Sequence, residues 1–306
     1  MDGRSGLELA NDNAATHWLA MAGVLGWESR TADGYTAVRC EGDPGDSHRV
    51  VITRRPADAA ALTRELLSLF RDWETGSLSL EDPYGVLDLS GHGCESALAM
   101  PVMVRPPDGP VGGPVGGPAG RPPDGPPRAP ADGPSRGPAR GLVDGSAENL
   151  VGGPSAAPPV APVRSPAVSV EQALVEEDLA LLERVVVQGF PMPGRMPLRR
   201  GRLFPAALDA LDGRRAWLAR RGGEAAGACV SWDDGTAVGL YWVAVLEPHR
   251  SHGVARALLE AALRAHPQRA ATLTATLLGE PLYRKLGFVE QAVSTWWRYP
   301  ATVTRS

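Results

Sequence analysis

The hydrophobic pattern is most informative along residues 238–264, where it changes from continuous to helical. Residues 238–245 are a nearly unbroken run of apolar, aromatic and β-branched residues, which predicts a strand covered on both faces of a mixed sheet. Polar residues then follow as far as Gly253. From Val254 the apolar residues recur at helical spacing up to Arg264. This stretch therefore predicts a strand, a tight loop and an amphipathic helix.

The pattern on either side of this stretch predicts a complete α/β (α+β) domain over residues 167–306. Its elements come in a regular order, and paired glycines at 222–223 mark a hairpin turn. The predicted elements are a strand at 168–170, a helix at 176–188, a loop and helix to 211, strands at 217–220, 227–232 and 238–245, a helix at 254–264, a strand at 272–277, a short helix around Leu282 and Leu286, and a strand from Phe288.

Residues 1–105 predict a small α+β domain of their own. A helix is predicted over 12–27, with Asp12 or Asn13 as its cap. A second helix starts at Asp58 and ends near Trp73. Strands are predicted at 35–40, 49–53, 78–80 and 99–104. The pattern of residues 83–91 favours neither a helix nor a strand.

Residues 106–166 are dense in Pro and Gly and almost free of large apolar side chains. Such a segment does not bury enough surface to offset the entropy of ordering. It is predicted to be a disordered linker, and a docking site for a proline-recognising module is the alternative.

Composition and charge exclude several classes of function. The chain has 306 residues and a net charge of −4, so nothing favours nucleic acid as a partner. No segment reaches the roughly 18 to 20 apolar residues of a membrane span, and the N-terminus has no signal-peptide pattern. Cys40, Cys94 and Cys229 match neither a zinc spacing nor a disulfide framework. We expect a cytoplasmic protein that binds no metal, no membrane and no nucleic acid.

Positive charge is concentrated where the helix at 254–264 begins. Arg250 and Arg256 flank its start, with His249 and His252 beside them. Cations are unfavourable at a helix N-terminus unless an anion binds there. Gly253 has no Cβ and allows a phosphate to approach the backbone. The alternative is a plain βα loop with solvent-exposed arginines.

The sequence Arg250-Ser-His-Gly253-Val-Ala255 resembles the Arg/Gln-x-x-Gly-x-Gly/Ala signature of the GNAT acetyltransferase superfamily, whose loop holds the pyrophosphate of coenzyme A. The resemblance covers roughly residues 167–298 and implies a mixed, mostly antiparallel central sheet flanked by helices. Pro248 departs from the family pattern, because it lies one residue closer to the arginine. The resemblance implies that coenzyme A contacts Val243, Val245, Arg250, Ser251, His252, Gly253, Val254, Ala255 and Arg256.

A second segment, from Gly279 through Tyr283 to Gly287-Phe288, resembles the Leu-Tyr-x-x-x-Gly-Phe segment of the same family. In that family the tyrosine hydroxyl meets the sulfur of coenzyme A. A phenol with a pKa near roughly 10 can protonate a departing thiolate of similar basicity. The alternative for Tyr283 is a core aromatic residue with a solvated hydroxyl.

Together the two segments imply an N-acetyltransferase that uses acetyl coenzyme A as co-substrate. A primary amine of a small molecule or peptide attacks directly, and Tyr283 is the general acid. For the base we favour Glu247, just past the central strand, while Tyr241, Asp233 and a water chain remain rivals. A non-catalytic acyl-coenzyme A sensor or scaffold and transfer of a longer acyl group remain alternatives. The acceptor and the oligomeric state, a homodimer included, stay open.

Two further regions invite interpretation. Residues up to Arg105 resemble the later part of a GNAT fold without its phosphate loop, which predicts a degenerate half that packs against the catalytic one. Tyr84 and His92 within it are interpreted as turn and surface residues.

In the resembled family, the region before residue 211 shapes the acceptor pocket. Its arginines favour either an anionic acceptor or a solvated face: Arg195, Arg199, Arg200 and Arg202.

Overall fold

The computed structural model describes residues 3–40, 48–73, 78–107, 167–190 and 192–299. All of these belong to one compact unit. The predicted linker lies outside the described residues apart from Pro106 and Pro107. The division of the chain at residues 105 and 167 stays a prediction, although the segments on either side of the linker share one sheet.

Both segments contain helices and strands. In chain order they are α1 (Gly6–Leu25), β1 (Glu28–Ala32), β2 (Tyr35–Arg39), β3 (His48–Ile52), α2 (Ala59–Asp72), β4 (Leu78–Asp82), β5 (Glu95–Arg105), β6 (Val168–Gln172), α3 (Glu176–Gly189), β7 (Arg214–Arg221), β8 (Glu224–Asp233), β9 (Ala237–Val245), α4 (Val254–Arg264), β10 (Ala270–Thr274), α5 (Glu280–Lys285) and β11 (Val289–Tyr299).

The strands of the described residues form one sheet in the order β1-β2-β3-β4-β11-β5-β10-β9-β8-β7-β6. Neighbouring strands are antiparallel except for β3 with β4 and β9 with β10. Helices cover both faces. The predicted mixed, mostly antiparallel sheet flanked by helices is therefore confirmed.

The two halves of the sheet repeat one plan and exchange their last strands. In the N-terminal half, α2 connects the parallel pair β3 and β4; in the C-terminal half, α4 connects the parallel pair β9 and β10. β5 lies between β10 and β11, and β11 lies between β4 and β5. The last strand of each half is thus inserted into the other half. The middle of the sheet therefore consists of strands from both halves.

The apolar faces of the helices decide which side of the sheet each one covers. Val51 packs against α1, whereas its neighbour Val50 packs against α2, because successive strand residues face opposite sides. Likewise Leu218 packs with α3 and Ala219 with α4. Trp242 contacts the clusters around both α1 and α3, so these two helices share one face.

The start of α1 differs from the prediction. Ser5 caps this helix, and Ser5 and Glu8 form a reciprocal capping box, so the predicted caps Asp12 and Asn13 are wrong. Both lie in the second turn and bind distant groups instead. Asp12 pairs with Arg54 at 2.6 Å.

Asn13 joins α1 to the C-terminal half. Its amide nitrogen donates to Asp234 Oδ2 at 2.9 Å and to the carbonyls of Trp232 and Ala237 at 3.3 and 3.2 Å. Its amide oxygen accepts from the Tyr241 hydroxyl at 2.8 Å. Because these groups are buried, the network fixes α1 across β8 and β9.

Candidate active site

The loop between β9 and α4 exposes backbone donors at the start of a helix. Ser251 and Gly253 adopt positive φ angles of 62° and 80°, and Gly253 is the cap residue of α4. A Cβ on Gly253 would have no atom within 4 Å, so the space beside it is open. The N–H groups of Val254, Ala255 and Arg256 precede the first hydrogen bond within the helix and are free to bind an anion. Arg250 and Arg256 are exposed beside them.

Strand β9 separates from β10 before it reaches this loop. Their ladder covers only the pairs from Ala237–Ala270 to Gly239–Thr272. Farther along, β9 contains a bulge opposite Cys229, and Trp242 has a φ of 55°. The bulge places Tyr241 and Trp242 both toward α1 and α3, while Val243 packs toward α4. The β10 side of β9 therefore borders an opening, which the sequence-predicted contacts Val243 and Val245 flank. The Val245 carbonyl accepts from Arg250 Nε at 3.3 Å.

The equivalent junction of the N-terminal half is closed. Strands β3 and β4 stay paired from His48–Leu78 to Val51–Glu81. Asp58 caps α2, and its carboxylate accepts from the Ala61 N–H at 2.9 Å. A carboxylate thus occupies the position that an anion would take, so the described residues present one open junction of this kind.

Tyr283 lies on α5 and lines one cavity with Val243 of β9 and Thr274 of β10. The residue is 7% exposed, and its ring meets Phe288 edge-on at 6.0 Å. A Cβ on Gly279 would come within 2.8 Å of the Tyr283 ring, so this glycine makes room for it. Its hydroxyl has no hydrogen-bond partner among the described residues. Burial raises the pKa of Tyr283 above its ordinary value, which keeps the phenol protonated.

A cavity of about 320 Å³ lies beneath α1, across the middle of the sheet. It extends from Tyr283 and β9 in the C-terminal half to β3 and β4 in the N-terminal half. Most of its wall is apolar or aromatic, as in typical small-molecule sites. The exchanged strands β5 and β11 form its floor, so both halves are needed to build it.

Glu81 is a charged residue of this wall that the sequence analysis did not single out. It lies on β4 opposite Trp296 of β11, and among the described residues its carboxylate has neither a hydrogen bond nor an ion pair. Burial raises its pKa to about 7, and the positive charge of Arg49 opposes that rise. A glutamate next to Leu80 in a predicted strand could have indicated a functional residue. The sequence did not show, however, which face of that strand is buried.

Arg49 is the second charged group of the wall. Its guanidinium lies over the ring of Trp18 at 4.7 Å and near the ring of Trp296 at 5.9 Å. It has no hydrogen-bond or ion-pair partner among the described residues. Stacking leaves the in-plane N–H groups of a guanidinium available to an anion.

The three sequence-predicted bases lie in different surroundings. Glu247 is exposed in a 3₁₀ turn after β9 and is absent from the cavity wall. Asp233 binds Arg269 at 3.1 Å and contacts His266 at 3.3 Å, which gives it a structural role. Tyr241 lines the cavity, but burial raises its pKa well above the ordinary value. The assignment of Tyr241 as a base stays a prediction, and so does that of Glu247.

The arginines before residue 211 lie apart from the central cavity. Arg195, Arg199 and Arg202 line a smaller cavity beside Glu183. Glu183 accepts from the backbone N–H groups of Gly201 and Leu203 at 2.7 and 2.6 Å, which holds the loop. From this region Phe190 alone reaches the wall of the central cavity within the described part of the chain. The predicted link between these arginines and the acceptor stays a prediction.

The part of the chain that the structure describes has neither the features of a metal site nor those of a membrane-spanning helix. There, no three histidine, cysteine, aspartate or glutamate side chains come together as metal ligands. In the same ranges, none of the helices has the length and apolar character needed to cross a membrane. Cys40, Cys94 and Cys229 are free and buried.

Comparison with known proteins identifies the architecture. Residues 212–290 match the family model of the acetyltransferase (GNAT) domain. A GCN5-related N-acetyltransferase from Kribbella flavida is 15% identical, with a TM-score of 0.54 over 96% of each chain. A functionally unknown conserved protein from Staphylococcus epidermidis is 9% identical, with a TM-score of 0.50 over 89% of this chain and 93% of its own. At such identities the structural likeness concerns the fold alone. The sequence matches no curated protein.

Proposed function

The C-terminal part of this chain contains a GNAT acetyltransferase domain, matched over residues 212–290, and from this premise we propose that the protein transfers an acetyl group from acetyl coenzyme A to a primary amine. The observation that carries the proposal is the early end of the β9–β10 ladder at Gly239. Beyond it, Val243 and Tyr283 line one cavity, and β9 continues toward the loop at Gly253. The transferase class follows from the domain; the acetyl donor and the amine acceptor are proposed.

The residues present fit coenzyme A at two places. The N–H groups of residues 252–256 and the exposed Arg250 and Arg256 would hold the pyrophosphate, because they combine backbone donors with positive charge. The separated edge of β9 at Val243 and Val245 would pair with the amides of the pantetheine arm. When bound, acetyl coenzyme A supplies an acetyl group activated as a thioester.

Transfer then requires two proton movements. The lone pair of the amine nitrogen forms the new C–N bond while the C–S bond breaks, and the sulfur leaves with the electron pair. The amine loses a proton to a base. Tyr283 stays protonated because burial raises its pKa, and it donates a hydrogen bond to the departing sulfur. The raised pKa favours this hydrogen bond over early proton transfer, so the proton follows only as negative charge develops on the sulfur. Holding both reactants in one cavity lowers the barrier further by several kcal/mol, on the order of 7 for well-oriented reactants.

The test measures thiol release from acetyl coenzyme A across a panel of amines, for the natural protein and Tyr283→Phe. We expect turnover with some amines and a fall of about tenfold or more in the variant. The affinity for coenzyme A, measured by calorimetry, should stay within about twofold, because Phe fills the same space. Product mass then identifies the acetylated amine.

Tyr35→Phe is the matched control. Tyr35 is also buried and donates to Glu65 at 2.8 Å, but it lies on the α2 face, away from the cavity. Its removal should leave turnover unchanged. Coenzyme A binding without turnover on any amine would overturn the proposal and favour the sensor alternative. Equal losses in both variants would show that Tyr283 acts through stability alone.

A further inference from the structure

We propose that the N-terminal half supplies the acceptor-binding side of the active site, where Glu81 takes the proton of the amine and Arg49 binds a carboxylate of the same acceptor. The acceptor is then a small apolar or aromatic amino acid, or a compound with the same amine and carboxylate pair. This inference rests on the proposed transfer reaction and names its substrate class.

The position of the cavity supports this arrangement. Tyr283 lines the cavity from the C-terminal half, and Glu81 and Arg49 line the same cavity from the N-terminal half. These two residues come from β4 and β3, and the junction between β3 and α2 is closed by Asp58. The N-terminal half has therefore lost the features of a coenzyme site while its sheet still borders the cavity.

The two charges are unpaired where charge is costly. Glu81 and Arg49 have no hydrogen-bond or ion-pair partner among the described residues, and their surroundings are largely apolar. An ionised group in such a place is unfavourable unless a partner of opposite charge is present. The raised pKa of Glu81 reflects this cost. A ligand that presents an ammonium group and a carboxylate gives each residue a partner.

The shape of the wall restricts the rest of the acceptor. A cavity of about 320 Å³ is near the lower limit of small-molecule sites, roughly 300–1,000 Å³, and it also has to admit the acetyl group. Trp18 and Trp296 present flat apolar surfaces beside Arg49, and Trp242 lines the same cavity from β9. A compact apolar or aromatic side chain fits these surfaces, whereas a long polar chain or a folded protein does not.

Glu81 is suited to the proton transfer that the reaction needs. A base works best when its pKa is near the working pH, and burial places that of Glu81 there. The other ionisable groups of the wall are Arg49 on β3, Tyr241 on β9 and Tyr283 on α5. The wall residues described on α1, β5 and β11 do not ionise. The proton leaves the attacking nitrogen for the Glu81 carboxylate, and Arg49 keeps the acceptor carboxylate neutralised.

The experiment compares acceptors that differ only in the carboxylate: phenylalanine with phenethylamine, and leucine with 3-methylbutylamine. The natural protein should use the amino acids about tenfold or more better in kcat/KM, since a charge-assisted pair is gained. Arg49→Gln should remove that preference, so that the amino acid and the amine of each pair are used with similar kcat/KM. Glu81→Gln should lower kcat for all four and remove the rise of kcat/KM with pH near 7.

Controls and binding measurements separate this inference from the proposed function. Arg64→Gln and Glu177→Gln make the same chemical changes at exposed positions and should leave turnover unchanged.

Binding of each acceptor to the coenzyme A complex is measured by calorimetry, because this needs no turnover. Amino acid binding that Arg49→Gln abolishes, without turnover, supports the acceptor class and overturns only the transfer reaction. Equal use or binding of phenylalanine and phenethylamine overturns the role of Arg49. An unchanged pH profile in Glu81→Gln overturns the role of Glu81.

Discussion

Replacing Glu81 by Gln should change how the stability of the free protein depends on pH. Burial raises the pKa of Glu81 from 4.5 to about 7, so the folded state binds this proton more tightly than the unfolded chain does. For a raised carboxyl pKa, the folded state is most favoured below pH 4.5 and loses stability as the pH rises to 7. Above pH 7 the buried negative charge remains a constant cost.

The size of this effect follows from the shift. A rise of this size corresponds to about 3 kcal/mol if the carboxyl were fully removed from water. Since Glu81 faces a cavity that admits water, we expect about 1 to 2 kcal/mol. For a protein of this size the corresponding shift in Tm is roughly 2 to 8 °C.

The assay is thermal or urea unfolding of the natural protein and Glu81→Gln at pH 5 and pH 8, without ligand. The stability of the variant relative to the natural protein should rise between these two pH values, because Gln carries no charge to bury. Any cost of the buried amide is the same at both pH values and cancels in this comparison. Glu177→Gln, at an exposed position, should show no such change. A stability difference that is equal at pH 5 and pH 8 would refute the reasoning about burial of Glu81.

Two further substitutions test the loop and the junction of the halves. Gly253→Ala should cost roughly 1 to 2 kcal/mol of folding free energy, because φ is 80° there, and should also weaken coenzyme A binding by about tenfold. Gly235→Ala, with a φ of 88° in a hairpin turn, should lose similar stability and keep its affinity; equal affinities in both variants would contradict the role of the loop. Asn13→Ala should cost about 2 to 4 kcal/mol in urea unfolding, because the Tyr241 hydroxyl loses its acceptor and the buried carbonyls of Trp232 and Ala237 each lose a donor. A loss under about 1 kcal/mol would show that water replaces the amide.

The sequence predicted secondary structure well at the junction between β9 and α4. The unbroken apolar run of β9, the polar loop and the helical spacing of α4 predicted that junction. Other boundaries were wrong or missing: β1 was not predicted, and β10 ends at Thr274 rather than at residue 277. Asn13 was interpreted as a cap because its amide suits that position, although Ser5 and Glu8 carried the clearer capping-box pattern.

The sequence by itself predicted the class of the fold, a phosphate loop at residues 250–255 and a role for Tyr283, because these inferences depend on residues close together in the chain. The class of the fold is confirmed, and the two site assignments stay predictions. The tertiary structure alone decided that β5 and β11 are exchanged between the halves, since strand order is set by distant pairing. That exchange brings β4 beside β11 and makes one cavity of surfaces from both halves. Glu81 looks like an ordinary strand residue along the chain. Its burial, and with it its altered pKa, arises only when the strands of both halves are assembled around it.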